Sequence, residues 1–434
     1  MLSSTQSLKG PLSSSALHSL RRALFLLLSL FLPLGTGQLH AQSKKGLQVE
    51  MVGDAIALGI DHAAINVNLS QLIVPSPKPG QKTVSWQSNN EVYHFSRHYL
   101  RTLESKIIPL SREQIVINAI ILAYRSNDPE INRILLHPKF EPNAPNRLAA
   151  FNPTSEEGRK WLHATLEYLS HRYSLPQQTF GRISGYIIGN EVNTHWWWSN
   201  RGEVSMEEFA EEYHQVVRLM HRAIRRHSSF AKVYISLEHH WNIRYPPANP
   251  RQGFPAKPFL KHFAKIVRDA GDFDWHLAFH PYPEKLRDPE FWKDESANDS
   301  PNTPRITFKN LHVLTEHFKS PHLLFKGKPR RIILSEQGFD TPTSPDGEKI
   351  QAAAYAYAYR LIEQLDGIDS FILHRHVDHP NEGGLRLGLR GFSPARKKKL
   401  IYDVFLHANR DDWEKHFAFA LPIVGLKEWP KGTR

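Results

Sequence analysis

Short apolar runs alternate with amphipathic stretches along most of the chain, and this alternation predicts strands that are each followed by a helix. The clearest runs lie at 115–124, 185–188, 232–238, 275–280, 331–336 and 370–376. Weaker runs at 55–68 and 148–152 complete a set of eight. Eight strand–helix units with no change of composition predict an α/β fold of the (β/α)8 TIM-barrel class.

Capping signals and turn residues place the helices and the loops. Ser205 and Glu208 form a capping box before an apolar stripe through 209–224, and Thr154 is the expected cap of the helix that begins near Glu156. Polar, proline-containing segments at 70–90, 125–146, 241–258 and 283–305 predict loops that wall a cleft. A doubly wound sheet is the structural alternative, but its glycine-rich phosphate-binding turn is missing after the first strand.

The first forty residues differ from the rest of the chain. Arg21 and Arg22 precede an apolar run at 23–32, and Pro33 ends that run. The pattern predicts a signal peptide over residues 1–41, since the run is too short to span a bilayer, with an N-terminal membrane anchor as the alternative. We therefore expect a secreted or periplasmic protein without stable membrane insertion after cleavage, in which 42–434 is a single barrel catalytic domain.

Composition narrows the possible chemistry. The 434 residues include no cysteine, which excludes disulfides, thiol nucleophiles and cysteine-based metal sites. The formal net charge of +12 favours attraction to anionic surfaces, but the cations are spread along the chain. The one tight basic run, at 396–399, is expected to be a solvated helix start. With an export signal in the sequence, nucleic acid is not expected as a partner.

Polar side chains stand where the apolar runs stop, and barrel enzymes place their active sites at those C-terminal strand ends. Asn190 and Glu191 follow the fourth run, and Glu336 ends the seventh. Strands four and seven can face each other across a barrel mouth. Two carboxylates so placed can cleave a glycosidic bond, with retention when about 5–5.5 Å apart and inversion at about 6.5–9.5 Å. Ion pairing at the barrel rim is the alternative role for both.

These motifs resemble clan A of the glycoside hydrolases, which are retaining barrel enzymes. The resemblance rests on Asn190-Glu191 ending the fourth strand, Glu336 ending the seventh, and His280-Pro-Tyr282 closing the sixth. It covers about residues 55–410 and is closest to poorly characterised bacterial glycosyl-hydrolase-like barrels. It implies that Glu191 is the acid/base and Glu336 the nucleophile, that Asn190 holds the sugar 2-hydroxyl, and that Tyr282 orients Glu336. No cofactor is expected.

The end of the eighth strand departs from the clan. Many members carry a Trp there as a sugar floor, whereas this chain has His374, Arg375 and His376. The difference predicts an altered sugar subsite. The carbohydrate substrate could be anionic, because Arg375 can pair with an acidic or sulfated sugar.

Further side chains near the strand ends are candidates for substrate binding. Three consecutive tryptophans at 196–198 can stack on a pyranose, and we expect one of them to face the cleft while the others pack in the loop. The complete set of substrate-binding candidates besides Asn190 and Tyr282 is Asp61, His62, Trp196, Trp198, Glu238, His239, Trp241, His280, His374 and Arg375.

Two other functions stay open at this point. The chain has 25 histidines, and His374, His376, Asp378 and His379, with the pair at 239–240, have the chemistry of metal ligands. A metal-dependent barrel hydrolase is therefore one alternative, although HExxH is missing and we assign no metal ligand. A non-catalytic carbohydrate-binding barrel is the other, but it would not need both carboxylates.

Overall fold

The computed structural model describes residues 43–393 and 395–430, so the predicted signal peptide at 1–41 lies outside the described residues. Eight parallel strands close into a barrel, because each pairs with the next and the eighth pairs with the first. This confirms the (β/α)8 TIM-barrel prediction. The strands are β1 Lys45–Gln48, β2 His62–Asn68, β3 Val116–Tyr124, β4 Gly185–Ile188, β5 Lys232–Glu238, β6 Trp275–His280, β7 Ile332–Gln337 and β8 Ile368–Leu373.

Helices surround the barrel, and the longest of them follow β2, β3, β4, β5 and β7. No helix among the described residues is long and apolar enough to cross a membrane. The α-helices are α1 Val52–Ala57, α2 Leu69–Leu72, α3 Arg97–Arg112, α4 Pro129–Leu135, α5 Glu156–Tyr173, α6 His195–Trp198, α7 Met206–Arg225, α8 Ala256–Asp269, α9 Leu311–His317, α10 Gly347–Glu363, α11 Leu400–His407, α12 Trp413–Phe417 and α13 Leu421–Val424.

The first predicted strand, at 55–68, is right only in its second part, which is β2, and the third, at 148–152, is not a strand of the barrel. The apolar run at 55–60 belongs largely to α1, and the run at 148–152 supplies only the two-residue strand Leu148–Ala149, which is antiparallel to β3. The first barrel strand, β1, was not predicted from the sequence because it has only four residues and begins with Lys45. The Lys45 ammonium is buried and donates to the carbonyls of Phe405 and Leu406. Because one barrel strand was missed and one predicted strand is not part of the barrel, strands four to eight were still numbered correctly.

The segment predicted as a loop at 70–90 contains part of a hairpin. Its strands are Thr83–Ser88 and Glu91–Ser96, and they pair antiparallel. The hairpin packs on α5, where the Phe95 and Tyr168 rings stack with their centroids 4.4 Å apart. The insertion is therefore a folded element on the outside of the barrel.

The helix caps and the buried side chains agree with the predicted barrel of strands surrounded by helices. Ser205 caps α7 by accepting from the Glu208 amide, as predicted, whereas α5 is capped by Ser155 instead of Thr154. The barrel interior is filled, so a substrate can enter only at the mouth. The buried side chains of this interior cluster include Ala64, Ile120, Ile187, Tyr234, Ala278, Ile333 and Ile372.

Candidate active site

Glu191 stands at the mouth of the barrel, just beyond β4, on a sharply turned backbone. Gly189 and Glu191 have φ of 78° and 39°, in the left-handed region. The Glu191 amide donates to Ser236 Oγ at 2.9 Å, and its carbonyl accepts from the amide and hydroxyl of Thr194 at 2.8 and 3.0 Å. A non-glycine residue in this region is strained, and strain held by several contacts is found at functional sites.

Glu336 lies on β7, across the mouth from Glu191. Its carboxylate accepts from Tyr282 Oη at 3.4 Å. One carboxylate oxygen of Glu191, one of Glu336 and one ring nitrogen of His280 all lie within 4.8 Å of one another. This spacing is compatible with the shorter carboxyl separation of about 5–5.5 Å that a retaining mechanism uses.

His280, the last residue of β6, is buried between these two strands. Its Nδ1 is hydrogen-bonded to Glu191 Oε1 at 2.8 Å and its Nε2 to Ser335 Oγ at 2.9 Å. The ring is 1% exposed, so both contacts are fixed by packing. His280 was predicted to bind substrate, but in this structure both of its ring nitrogens serve the protein.

Burial and charge set the protonation of the site. Burial raises the pKa of Glu191, and the nearby Glu336 and Glu238 carboxylates add to the rise, whereas His280 opposes it. Burial acts to lower the pKa of His280, but the hydrogen bond and charge of Glu191 outweigh burial, and the net pKa is raised. Burial also raises the pKa of Tyr282 well above its usual value. Burial of Glu191 thus acts in the direction that a general acid requires, and His280 acts against it.

The two glutamates line a polar cleft made of two adjoining cavities. Their volumes are about 440 Å³ and 880 Å³. Asn190 lines the smaller cavity, Glu191 lines the larger, and Glu336 stands at their junction. The residues that line both cavities are Tyr124, Leu148, Trp198, Glu336 and Glu382.

Glu238 and His239 line the larger cavity, but Glu238 is fully engaged. It accepts from Asn193 Nδ2 at 2.5 Å and from the amide of His240 at 3.1 Å, and the His240 ring lies 2.5 Å away. Although burial acts to raise its pKa, His240 holds the pKa of Glu238 at about 2. Burial lowers the pKa of His239 to about 3. Near neutral pH the wall of the larger cavity therefore has an ionised carboxylate at Glu238 and a neutral imidazole at His239.

His374 and Arg375 line the smaller cavity, yet both are held by carboxylates. His374 contacts Gln48 and Glu382, and Arg375 donates to Glu382 and lies 3.7 Å from Glu50. Burial acts to raise the pKa of Glu382, but His374 and Arg375 hold it at about 2. The predicted pairing of Arg375 with a substrate anion would have to displace these contacts.

The tryptophans divide as predicted, with one facing the cleft. Trp198 is 36% exposed and lines both cavities, whereas Trp196 lines neither. Trp197 meets Tyr245 edge to face at 4.9 Å. Trp241 was predicted to bind substrate, but it is 0% exposed and belongs to the hydrophobic core. Trp241 lies three residues after the end of β5, and its large indole fills part of that core.

Asp61 and His62 are at the wrong end of the barrel for substrate binding. They were candidates because the apolar run at 55–60 stops at Asp61, but β2 begins at His62. The Asp61 carbonyl accepts from the amide of Val116, the first residue of β3. Neither residue lines the cleft, because the mouth lies at the opposite ends of these strands.

The histidines proposed as metal ligands after β8 do not converge. His376 bonds Asp54 at 2.8 Å and accepts from the Met51 amide, and Asp378 pairs with Lys399 at 3.0 Å. Within residues 43–393 and 395–430, the groups that could hold an ion in the cleft are Glu238 with His239 and His240, and Glu191 with His280 and Glu336.

Several cleft residues escaped the sequence-based prediction. Ser236 on β5 and Ser335 on β7 are buried behind the cleft and hold Glu191 and His280, and they precede the candidates Glu238 and Glu336 by two positions and one position. Glu382, Tyr245 and Arg305 come from loops that carry no local signal for a binding site. Only the fold brings these side chains to the mouth.

Solved structures of glycoside hydrolases share this barrel. A family 39 glycoside hydrolase from Bacteroides cellulosilyticus matches with a TM-score of 0.53 and 14% identity, over 84% of this chain but only 63% of that enzyme. A β-glucosidase from Pyrococcus furiosus matches with a TM-score of 0.51 and 13% identity, over 86% of both chains. The β-glycosidase of Thermosphaera aggregans gives 0.52 and 14%, over 84% and 85%. Identities this low establish the fold alone.

The chain is therefore a (β/α)8 barrel of the type found in clan A glycoside hydrolases, and the predicted resemblance is confirmed at the level of the fold. It belongs to a family of unknown function (DUF5722), whose model matches residues 38–431. No curated protein matches the sequence.

Proposed function

We propose that this protein is an exported, retaining glycoside hydrolase with Glu191 as acid/base and Glu336 as nucleophile. The observation that carries the proposal is the pair of carboxylates at the barrel mouth, with oxygens within 4.8 Å and both lining one cleft. Barrels of the same fold that hydrolyse glycosides support it. Two such carboxylates suffice for the chemistry without a cofactor.

Glu191 is suited to the first proton transfer. Burial raises its pKa, which favours the protonated form, so it can protonate the departing glycosidic oxygen while Glu336 attacks the anomeric carbon. The bond to the leaving group breaks and a glycosyl ester forms on Glu336. In the second step Glu191, now ionised, takes a proton from water, the water attacks the anomeric carbon, and Glu336 departs.

Glu336 is suited to attack because its carboxylate is oriented by a hydrogen bond. Tyr282 donates to the oxygen Oε1, which fixes one face of the carboxylate. The same hydrogen bond must weaken when the glycosyl ester forms, so Tyr282 controls the charge of the nucleophile in both steps.

The charges of the cleft favour an uncharged sugar over an anionic one. Besides the acid Glu191, its walls include carboxylates at Glu50, Glu238, Glu284, Glu336 and Glu382, against cations at Lys106, Arg305 and Arg375. Arg305 faces Glu284 at 3.4 Å, Arg375 faces Glu382, and Lys106 donates to the Val49 carbonyl. We therefore propose a neutral poly- or oligosaccharide substrate, because a substrate anion would meet an excess of negative charge.

The test is hydrolysis of aryl glycosides with poor and with good leaving groups, comparing neutral sugars with uronides, because only a poor leaving group needs protonation by Glu191. The variants are Glu191→Ala, Glu336→Ala and, as a matched control, Glu211→Gln on the exposed face of α7. Each cleft variant should lose about 10²- to 10⁴-fold in kcat/KM, and the control should match the wild type. Azide should restore turnover, giving a glycosyl azide of retained configuration with Glu191→Ala and inverted configuration with Glu336→Ala.

Three results would count against the assignment. Undiminished turnover in either alanine variant removes that residue from the mechanism. Turnover that disappears on chelation and returns with a metal would favour the metal-dependent hydrolase. Sugar binding without turnover by the wild type on every substrate would favour a carbohydrate-binding barrel. Export is tested separately, by locating the protein in cell fractions and sequencing its mature N-terminus, which should begin near Gln42.

A further inference from the structure

The C-terminal helices carry the same short motif twice. Asp403 and His407 are separated by three residues on α11. Asp412, the N-cap of α12, and His416 within α12 have the same spacing. Residues four apart lie on one face of a helix. Each helix therefore presents one carboxylate and one imidazole on the same side.

The fold brings the two motifs together. The His407 and His416 rings are stacked with centroids 3.4 Å apart and planes 6° from parallel. Nδ1 of His407 is hydrogen-bonded to Asp412 Oδ1 at 2.8 Å, and Nδ1 of His416 to Asp403 Oδ2 at 2.7 Å. The hydrogen bonds thus cross from one helix to the other.

Each carboxylate also faces the imidazole of its own motif. His407 Nε2 lies 3.8 Å from Asp403, and His416 Nε2 lies 3.5 Å from Asp412. Single ligand atoms from Asp403, His407 and His416 fall within 4.8 Å of one another. The four side chains therefore form one compact set of two imidazoles and two carboxylates, which we call the Asp–His clasp.

The chemistry of the clasp suits a transition-metal dication. Imidazole nitrogen and carboxylate oxygen are ligands of Zn²⁺, which prefers four of them in a tetrahedron. With neutral imidazoles the clasp carries two negative charges, which attract the ion. The aspartate side chains are 53% and 51% exposed and the histidines 13% and 19%, so an ion from solvent can reach them.

We propose that the Asp–His clasp is a Zn²⁺ site that ties α11 to α12. Metal–ligand bonds of about 2.0–2.2 Å would require the two rings to turn out of their parallel stack, so that one nitrogen of each points at the ion, with the Nδ1 or Nε2 atoms released from their carboxylates. The site is separate from the cleft, since none of the four residues lines it. The proposal is independent of glycosidase activity.

The experiment is zinc titration of chelator-treated, tag-free protein, by calorimetry and by the thermal unfolding midpoint. The test variants are His407→Ala/His416→Ala and Asp403→Asn/Asp412→Asn. His312→Ala is the matched control, because His312 forms an exposed pair with Asp299 at 3.2 Å without a second imidazole. Wild type and control should bind one more equivalent of Zn²⁺ than either double variant, and zinc should raise their unfolding midpoints more.

Unchanged zinc stoichiometry in both double variants would overturn the proposal, as would a wild type that binds no zinc. The aspartate variant guards against misfolding, since it keeps the ring stack and every side-chain volume. Circular dichroism of the chelated proteins should be the same for all four. Zinc bound at the cleft groups would persist in the double variants, so it cannot imitate loss at the clasp.

Discussion

His280 is hydrogen-bonded to Glu191 through Nδ1 at 2.8 Å, and its other nitrogen contacts Ser335, the residue before Glu336. One buried ring thus couples the candidate acid to the strand of the candidate nucleophile. A hydrogen bond from His280 favours the ionised form of Glu191, while burial favours the neutral form. The working pKa of Glu191 is the balance between the two.

Replacing His280 should therefore change the pH profile as well as the rate. In His280→Gln we expect kcat/KM to fall about 10- to 100-fold, the equivalent of one hydrogen bond to a charged group. Because His280 holds the pKa of Glu191 down, its removal should raise that pKa, and the basic limb of the profile should move to higher pH. The measurement is kcat/KM against pH for an aryl glycoside.

His98→Gln, an exposed histidine on α3, is the control and should leave the profile unchanged. A His280→Gln enzyme that is slower at every pH with an unmoved basic limb would show that His280 does not tune Glu191.

Tyr282 should matter for the rate of the chemical steps more than for binding. Its hydroxyl reaches Glu336 at 3.4 Å, and the phenyl ring of Tyr282→Phe preserves the cavity wall. We expect kcat to drop about tenfold, with KM within about twofold of the wild type. Steady-state kinetics on a neutral aryl glycoside measure both, and a change confined to KM would contradict a role in orienting Glu336.

Trp198 should bind sugar units beyond the one that reacts. It lines both cavities and is the exposed member of its cluster, so its ring face is free to stack on a pyranose. In Trp198→Ala we expect KM for an oligosaccharide to rise about tenfold, with little change for an aryl monosaccharide. Phe392→Ala, an exposed aromatic that lines neither cavity, should change neither KM. Equal losses on both substrates would point to a folding defect instead of a subsite.

The sequence predicted the parts of the fold whose apolar runs are long. Each strand from β3 to β8 coincides with a clear apolar run, so the ends of β4, β6 and β7 could be located to within a residue or two. β1 could not, because a four-residue strand that starts with a buried lysine has no periodicity to read. Missing β1 moved Asp61 and His62 from the start of a strand to the apparent end of one, and so to the wrong end of the barrel.

The site was predictable only where topology decides it. Glu191 and Glu336 are 145 positions apart, but parallel barrel strands put both ends at one mouth, whatever lies between. Their catalytic roles stay predictions. The contact between His280 and Glu191 and the burial of Trp241 depend on side-chain packing across strands, which no spacing along the chain reports.

Asp54 on α1 should stabilise the barrel through its charge. It accepts from Arg390 Nη2 and Nε at 2.6 and 2.7 Å, from His376 at 2.8 Å and from Tyr402 at 2.9 Å. These four bonds tie α1 to α11 and to the segment after β8. Burial acts to raise the pKa of Asp54, but the hydrogen bonds from Arg390, His376 and Tyr402 hold it well below the usual range.

Asp54→Asn should consequently lower the free energy of unfolding by about 3 kcal/mol at pH 7, because it leaves the buried partners without their anion. In a domain of this size that is a fall of about 4 °C in the unfolding midpoint. The depressed pKa means that the stabilisation is complete above the unfolded value of about 3.9 and is lost gradually as pH falls from there through the lower pKa of the folded state, so the difference between variant and wild type should begin to shrink below pH 4. Calorimetric scans at pH 7 and pH 3.5 test this, with Asp299→Asn, an 85% exposed surface carboxylate, as the control that should cost little at either pH. A deficit of Asp54→Asn that is equally large at both pH values would mean that the side-chain packing of Asp54, and not its charge, supports the barrel.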